Sequence, residues 1–112
     1  MTLVKWDITL NNEKYVVELD HKGWTNTQII SLNGKVIYQT PARLQVGGTT
    51  LFKIAEHECV ILIRNRLFSF NYDLAIDGFS VTTGKKISYT NLKPVAIVRN
   101  GQIELTNGQS EA

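Results

Sequence analysis

The sequence predicts an all-β fold, an antiparallel β-sandwich of about eight to ten short strands with no substantial helix. Three observations predict it. Phe68, Phe70, Tyr72, Leu74 and Ile76 alternate with Ser69, Asn71, Asp73, Ala75 and Asp77, the period-two pattern of a half-buried strand. The dipeptides Asn33-Gly34, Asp77-Gly78 and Asn100-Gly101 supply residues that tolerate φ > 0, as two-residue hairpin turns require. No stretch makes a convincing amphipathic helix, with apolar residues sustained at i, i+3, i+4 and i+7 over successive turns. A small closed barrel is the alternative arrangement of the same strands.

In chain order, Val4, Trp6, Ile8 and Leu10 alternate with polar residues and the pattern resumes at Tyr15, Val17 and Leu19, a first hairpin around Asn11–Lys14. Its predicted register pairs Leu10 with Tyr15, Ile8 with Val17 and Trp6 with Leu19. Asp7 then lies across from Glu18, an unfavourable like-charge pair that Lys5 relieves. After a connection at His21–Trp24, Gln28–Leu32 and Lys35–Tyr38 flank the Asn33-Gly34 turn. Pro41 interrupts the pattern, which marks an edge or a crossing between sheets. A short strand at Arg43–Val46 and the Gly47-Gly48 pair lead into the central region.

Residues 51–81 are predicted to form a four-strand meander. Turning at Glu56-His57 sets Ile54 against Cys59 and Phe52 against Ile61, and turning at Asn65-Arg66 sets Ile63 against Phe68 and Cys59 against Tyr72. Turning at Asp77-Gly78 sets Ile76 against Phe79. Apolar residues meet on one face in all three, whereas a one-residue slip would send each set to the other side. The run Cys59–Ile63 is an aggregation-prone window bracketed by Glu56, Glu58, Arg64 and Arg66, the charges that guard such segments. Residues 82–94 read as a polar connection with one short strand at Lys86–Tyr89. A last hairpin at Asn100-Gly101 pairs Val98 with Ile103 and Ala96 with Leu105, and residues 107–112 form a frayed tail.

The chain of 112 residues has the length of a single domain, here 1–112. Its 12 basic and 10 acidic residues leave a net charge of +2, too balanced for the concentrated basic face of a nucleic-acid binder. No apolar run approaches the ~20 residues of a membrane span, and Met1–Leu10 has no secretory pattern, so a soluble cytoplasmic protein is expected. A single cysteine excludes an internal disulfide.

The pattern Phe52-x-Ile54-x-x-His57-x-Cys59-x-Ile61, followed by Phe68-x-x-x-Tyr72-x-Leu74-x-Ile76-x-Gly78-x-Ser80, resembles the Fas apoptotic inhibitory molecule family. Trp6-Asp7 and the stretch from Asp20-His21-x-Gly23 to Asn33-Gly34-Lys35 are similar to that family's N-terminal hairpins. The resemblance spans residues 4–81. It implies an antiparallel β-sandwich that acts without catalysis through protein contacts, in animals linked to survival signalling and to limiting aggregation. Members typically hold two such domains in tandem, so this chain reads as a single-domain relative with additional strands at 82–106. No catalytic, metal or cofactor residue comes with the resemblance.

Several residues are candidates for chemistry. His57-x-Cys59, with His21 as a third ligand, has the residue types of a zinc site, but the complete ligand spacing is missing and Cys59 points into the core. The same Cys59 with His57 or His21 as base and Asp20 or Asp7 as orienter is the material of a cysteine enzyme. A reactive thiol, however, needs an exposed electropositive setting. Trp24, after Gly23 in a connection, is the residue best suited to a binding contact. With Tyr38 or Tyr89 it would make a carbohydrate-stacking platform, and otherwise it caps one end of the sandwich. Arg64 and Arg66 near Lys53, and Lys85-Lys86, form small basic patches. The expected function is a non-enzymatic protein-interaction module without cofactor, whose binding surface includes Gly23, Trp24, Tyr38, Arg64 and Arg66. Its partner is another protein or a second copy in a homodimer, with no nucleic acid and no membrane. A sugar-binding module and a metal- or cysteine-dependent enzyme are the alternatives.

Overall fold

A computed structural model describes residues 2–22, 27–40, 48–67, 69–90 and 92–106. The connection at Gly23 and Trp24, the expected strand at Arg43–Val46, Phe68 and the tail at 107–112 lie outside the described residues. Among the described residues there are ten strands and no helix, the all-β class expected. The first four strands form one sheet in chain order, and the last six form a second in which the final hairpin pairs with the first strand of a four-strand meander. These sheets belong to two compact units, Met1–Gly47 and Gly48–Ala112.

In the first unit, β1 (Thr2–Leu10) and β2 (Glu13–Lys22) are joined by a two-residue turn at Asn11 and Asn12, both at positive φ. The turn is therefore two residues long, where the sequence predicted four. The register moves by an even step, so every side chain keeps its expected face while its partner changes. Ile8 pairs with Tyr15 and Trp6 with Val17. The feared Asp7–Glu18 pair does not form; Lys5 stands opposite Glu18 instead. β3 (Thr27–Leu32) and β4 (Lys35–Gln39) turn at Asn33-Gly34 as expected, with a bulge between Ile30 and Ser31. One face of this sheet buries Trp6, Val17, Leu19, Ile30, Leu32 and Ile37.

In the second unit, β5 (Gly48–Ile54), β6 (His57–Asn65), β7 (Phe70–Ile76) and β8 (Phe79–Ser80) are the predicted meander. Two of its turns are relocated. The first falls at Ala55-Glu56, with Ala55 in the left-handed region at φ 53°, so Ile54 pairs with His57 and Phe52 with Cys59. The second is a four-residue loop, closed by backbone hydrogen bonds between Arg66 and Ser69. Ile63 consequently faces Tyr72, and Cys59 faces Ile76 rather than Tyr72. The third, Asp77-Gly78, and the hairpin of β9 (Ala96–Arg99) and β10 (Gln102–Leu105) at Asn100-Gly101 match the prediction. Strand β9 then joins β5 in parallel, Lys53 to Ile97 and Ile54 to Val98, making the sheet mixed.

Strand β6 is buried continuously from Cys59 to Ile63, so both faces of the sheet centre are covered. On one face Leu51, Val60, Leu62 and Ala75 form a cluster against which Ile87, Tyr89 and Leu92 pack. The segment that the sequence presents as a polar connection thus closes over a sheet face. Among its described residues there is no regular strand; Phe79 and Lys86 make a single bridge in place of the strand expected at Lys86–Tyr89. Backbone bonds from Ile87 to Gly78 and between Ser80 and Lys85 hold it instead.

Candidate functional site

A polar constellation sits at the end of the six-stranded sheet where the β5–β6 and β7–β8 turns lie side by side. Asp77, held at φ 50° by its turn, directs its carboxylate at β6. One oxygen accepts from the Glu58 backbone N–H at 2.9 Å and the other lies 2.7 Å from His57 Nδ1. His57 Nε2 lies 3.3 Å from Glu56 Oε1, and the imidazole side chain is 22% exposed. Tyr89 donates its hydroxyl to Glu58 Oε1 at 2.8 Å, tying the covering segment to the same strand end.

The charges follow from these contacts. The hydrogen bond to Asp77 raises the His57 pKa above its ordinary 6.5 in spite of burial, with help from the Asp77 and Glu56 charges. For Asp77 burial pushes upward, yet the bonds from His57 and the Glu58 N–H outweigh it and hold the carboxyl below its ordinary 3.8. Burial and the bond to Glu58 push the Tyr89 phenol up to about 12. Burial, then the Asp77 charge, pushes the Cys59 thiol up to about 12.

This arrangement cross-links two turns. Cys59 is fully buried, and its sulfur lies 4.0 Å from the His57 backbone oxygen. A thiol held near 12 is protonated at neutral pH, whereas nucleophilic cysteines are thiolates. The orienter of His57 is Asp77, not Asp20 or Asp7. His21 is buried on β2, paired with Thr2 and Gln28 across the strands, in the other unit from His57 and Cys59. Among the described residues no group of three His, Cys, Asp or Glu is placed to hold a metal ion.

The expected binding residues are dispersed. Tyr38 is half-buried on β4 opposite Ile30, and Gly23 and Trp24 lie outside the described residues. Arg64 and Arg66 are both exposed at the opposite end of the six-stranded sheet from Asp77. Arg64 borders a groove of about 210 Å³ with Leu62, Asn71 and Asp73, while the Arg66 guanidinium lies 3.2 Å from the Asn71 side-chain amide. Tyr89 packs its ring on the Val60 cluster and is committed to Glu58, so it is a structural tyrosine.

Sequence reasoning missed an apolar strip on the outermost strands of the six-stranded sheet. Phe79 pairs with Ile76 and is 54% exposed; Val81, whose N–H donates to Leu74 O, is 39% exposed. Phe70 and Tyr72 continue the same face of β7 with ring centroids 6.3 Å apart. The signal was present in the predicted register, which set Phe79 opposite Ile76, but β8 ends at Ser80 and leaves that face without a further strand among the described residues.

With this geometry in place, comparison with known families decides the identity. A family model described as Fas apoptotic inhibitory molecule (FAIM1) matches residues 2–104. The chain belongs to that family. The match runs past the 4–81 span of the visible resemblance and takes in the covering segment, β9 and β10. The match therefore includes residues 82–104. No curated protein matches the chain. Among the described residues no helix is long and apolar enough to cross a membrane.

Proposed function

We propose that this member of the family is a non-enzymatic protein-binding module whose contact face is the apolar strip on β7 and β8. The observation that carries the reading is Phe79, a large aromatic 54% exposed beside Val81 on a two-residue edge strand. Aromatic side chains of this kind anchor interfaces because they bury much area at little conformational cost. The nearby polar constellation favours the same reading. His57, Asp77, Glu56 and Glu58 are engaged with one another and with Tyr89, and the thiol beneath them is protonated. Such a cluster ties the β7–β8 turn, which leads into the strip, to the end of β6.

A photo-crosslinking residue placed at position 79, with a second at the exposed Lys14 as control, tests the proposal in cells of the source organism. A discrete adduct formed from position 79, absent from position 14 and lost on Val81→Asp, is the expected result. Identical adducts from both positions, or none from position 79, would overturn it.

A further inference from the structure

A second surface carries its own information about a partner. Strand β1 is the edge of the four-stranded sheet and is nine residues long. The two-residue turn at Asn11-Asn12 makes Leu10–Glu13 a hydrogen-bonded pair, so such pairs recur at Ile8–Tyr15, Trp6–Val17 and Val4–Leu19. Val16 confirms this phase, exchanging its N–H and C=O with Asn33 on the far side of β2. It follows that the N–H and C=O groups of Leu3, Lys5, Asp7 and Thr9 point outward, and no described residue pairs with them. Their side chains are exposed, Leu3 by 60%. An edge of this length is a template for another strand unless something blocks it.

The strand Thr2-Leu3-Val4-Lys5-Trp6-Asp7-Ile8-Thr9-Leu10 is complementary to itself read backwards. We infer that two copies of this chain associate through antiparallel pairing of their β1 edges about a two-fold axis at Trp6. In that register Lys5 faces Asp7 of the second copy and Asp7 faces its Lys5. Val4 meets Ile8, Leu3 meets Thr9, and the two Trp6 residues flank the axis on the opposite face. The outward residues are those that must form the hydrogen-bonded pairs, and this register pairs Lys5 with Asp7 and Leu3 with Thr9, all outward. Glu18 of β2, opposite Lys5, extends the charge row to Glu18, Lys5 and Asp7 of the second copy.

The neighbouring registers that keep the same faces together are disfavoured. A shift in one direction places Lys5 against Lys5 on the axis, and a shift in the other places Asp7 against Asp7. Like charges directly opposite oppose pairing, whereas opposite charges support it. Charge therefore selects one register and one symmetric partner. The inference concerns a different sheet from the β7–β8 strip and stands or falls independently of it.

Sedimentation equilibrium on the full chain over a wide concentration range tests the pairing with Asp7→Lys and Lys5→Asp. The wild type is expected to be a reversible dimer. Each variant alone carries two like charges across the axis and is expected to dimerise more weakly by on the order of tenfold or more. An equimolar mixture restores both opposite-charge pairs and is expected to form the heterodimer. Raising salt should weaken the wild-type dimer and strengthen that of Asp7→Lys, which faces Val16 within its own sheet and leaves the fold undisturbed. A wild type that stays monomeric throughout overturns the inference. So does Asp7→Lys dimerising as tightly as wild type, or two folded variants that fail to combine. Crosslinking at position 79 is unaffected by any of these results.

Discussion

Truncating Val60 to alanine tests whether the segment from Val81 to Val95 truly seals a face of the six-stranded sheet. Val60 is fully buried at the centre of β6, among Leu51, Leu62 and Ala75 below and Ile87, Tyr89 and Leu92 above. Val60→Ala removes two methyl groups, worth roughly 1.5 kcal/mol in transfer at about 0.8 kcal/mol each. The unfilled space adds a cavity contribution, and the total comes to about 2–3 kcal/mol. Against a stability of about 5–15 kcal/mol for a domain, that loss is large enough to measure without ambiguity. Val36→Ala is the control: this residue is 56% exposed, and its loss should stay within about 0.5 kcal/mol. Urea unfolding followed by tryptophan fluorescence and circular dichroism gives both values, provided the slope with denaturant is unchanged. A Val60→Ala cost below about 0.5 kcal/mol would mean that the face is open to water and would refute the packing argued above.

Three further outcomes follow from the turn-end constellation. In Asp77→Asn the His57 pKa should fall toward its ordinary 6.5, as read by NMR titration of the imidazole. Because folding raises that pKa, the stability His57 contributes is complete below its ordinary value and is lost as pH rises through the folded one. Folding lowers the Asp77 pKa, so its contribution is present above 3.8 and is lost as pH falls through the folded value; Asp77→Asn should remove this dependence and reduce that of His57. The Cys59 thiol, at about 12, should leave dithiobis-nitrobenzoate unreacted in the native protein at neutral pH and release one equivalent after unfolding. Tyr89→Phe should destabilise by about 1.5–3 kcal/mol, since its hydrogen bond goes to a charged carboxylate, and should abolish a phenol titration near 12 in ultraviolet difference spectra.

Which face each strand presents was legible throughout, because alternation and parity survive errors in turn length. Relocating the turns at 11–12, 55–56 and 66–69 moved each register by an even step and changed partners, not faces. Asn-Gly and Asp-Gly dipeptides declare their turns and were placed correctly; Ala55 carries no such signature yet adopts the left-handed conformation. The relocated loop at 66–69 had a chemical consequence. In the predicted register of β6 with β7, Asp77 has no partner on β6, whereas in the true one its N–H donates to Glu58 O and its carboxylate reaches His57. The covering segment escaped notice for another reason. Turn-type bonds around Ser80 hold it, including its hydroxyl between Asp73 and the Thr82 and Thr83 N–H groups, and these leave no periodic trace. The β5–β9 pairing depends on contacts far apart in the chain, which local patterns cannot report.

That parallel pairing also sets an order of events for the chain as it folds. Each antiparallel hairpin closes over a few residues and can form within microseconds. The β5–β9 ladder has to bring position 53 to position 97, and it gains only two residue pairs for the chain entropy lost in closing so long a loop. Docking of the β9–β10 hairpin should therefore be the late, rate-setting step in the second unit, with the meander already in place to receive it. The same economy makes it the first part to open. Native-state hydrogen exchange should find the amides of Ile97 and Val98 protected by less than the global unfolding free energy, and those of Val60 and Ile61 protected by all of it.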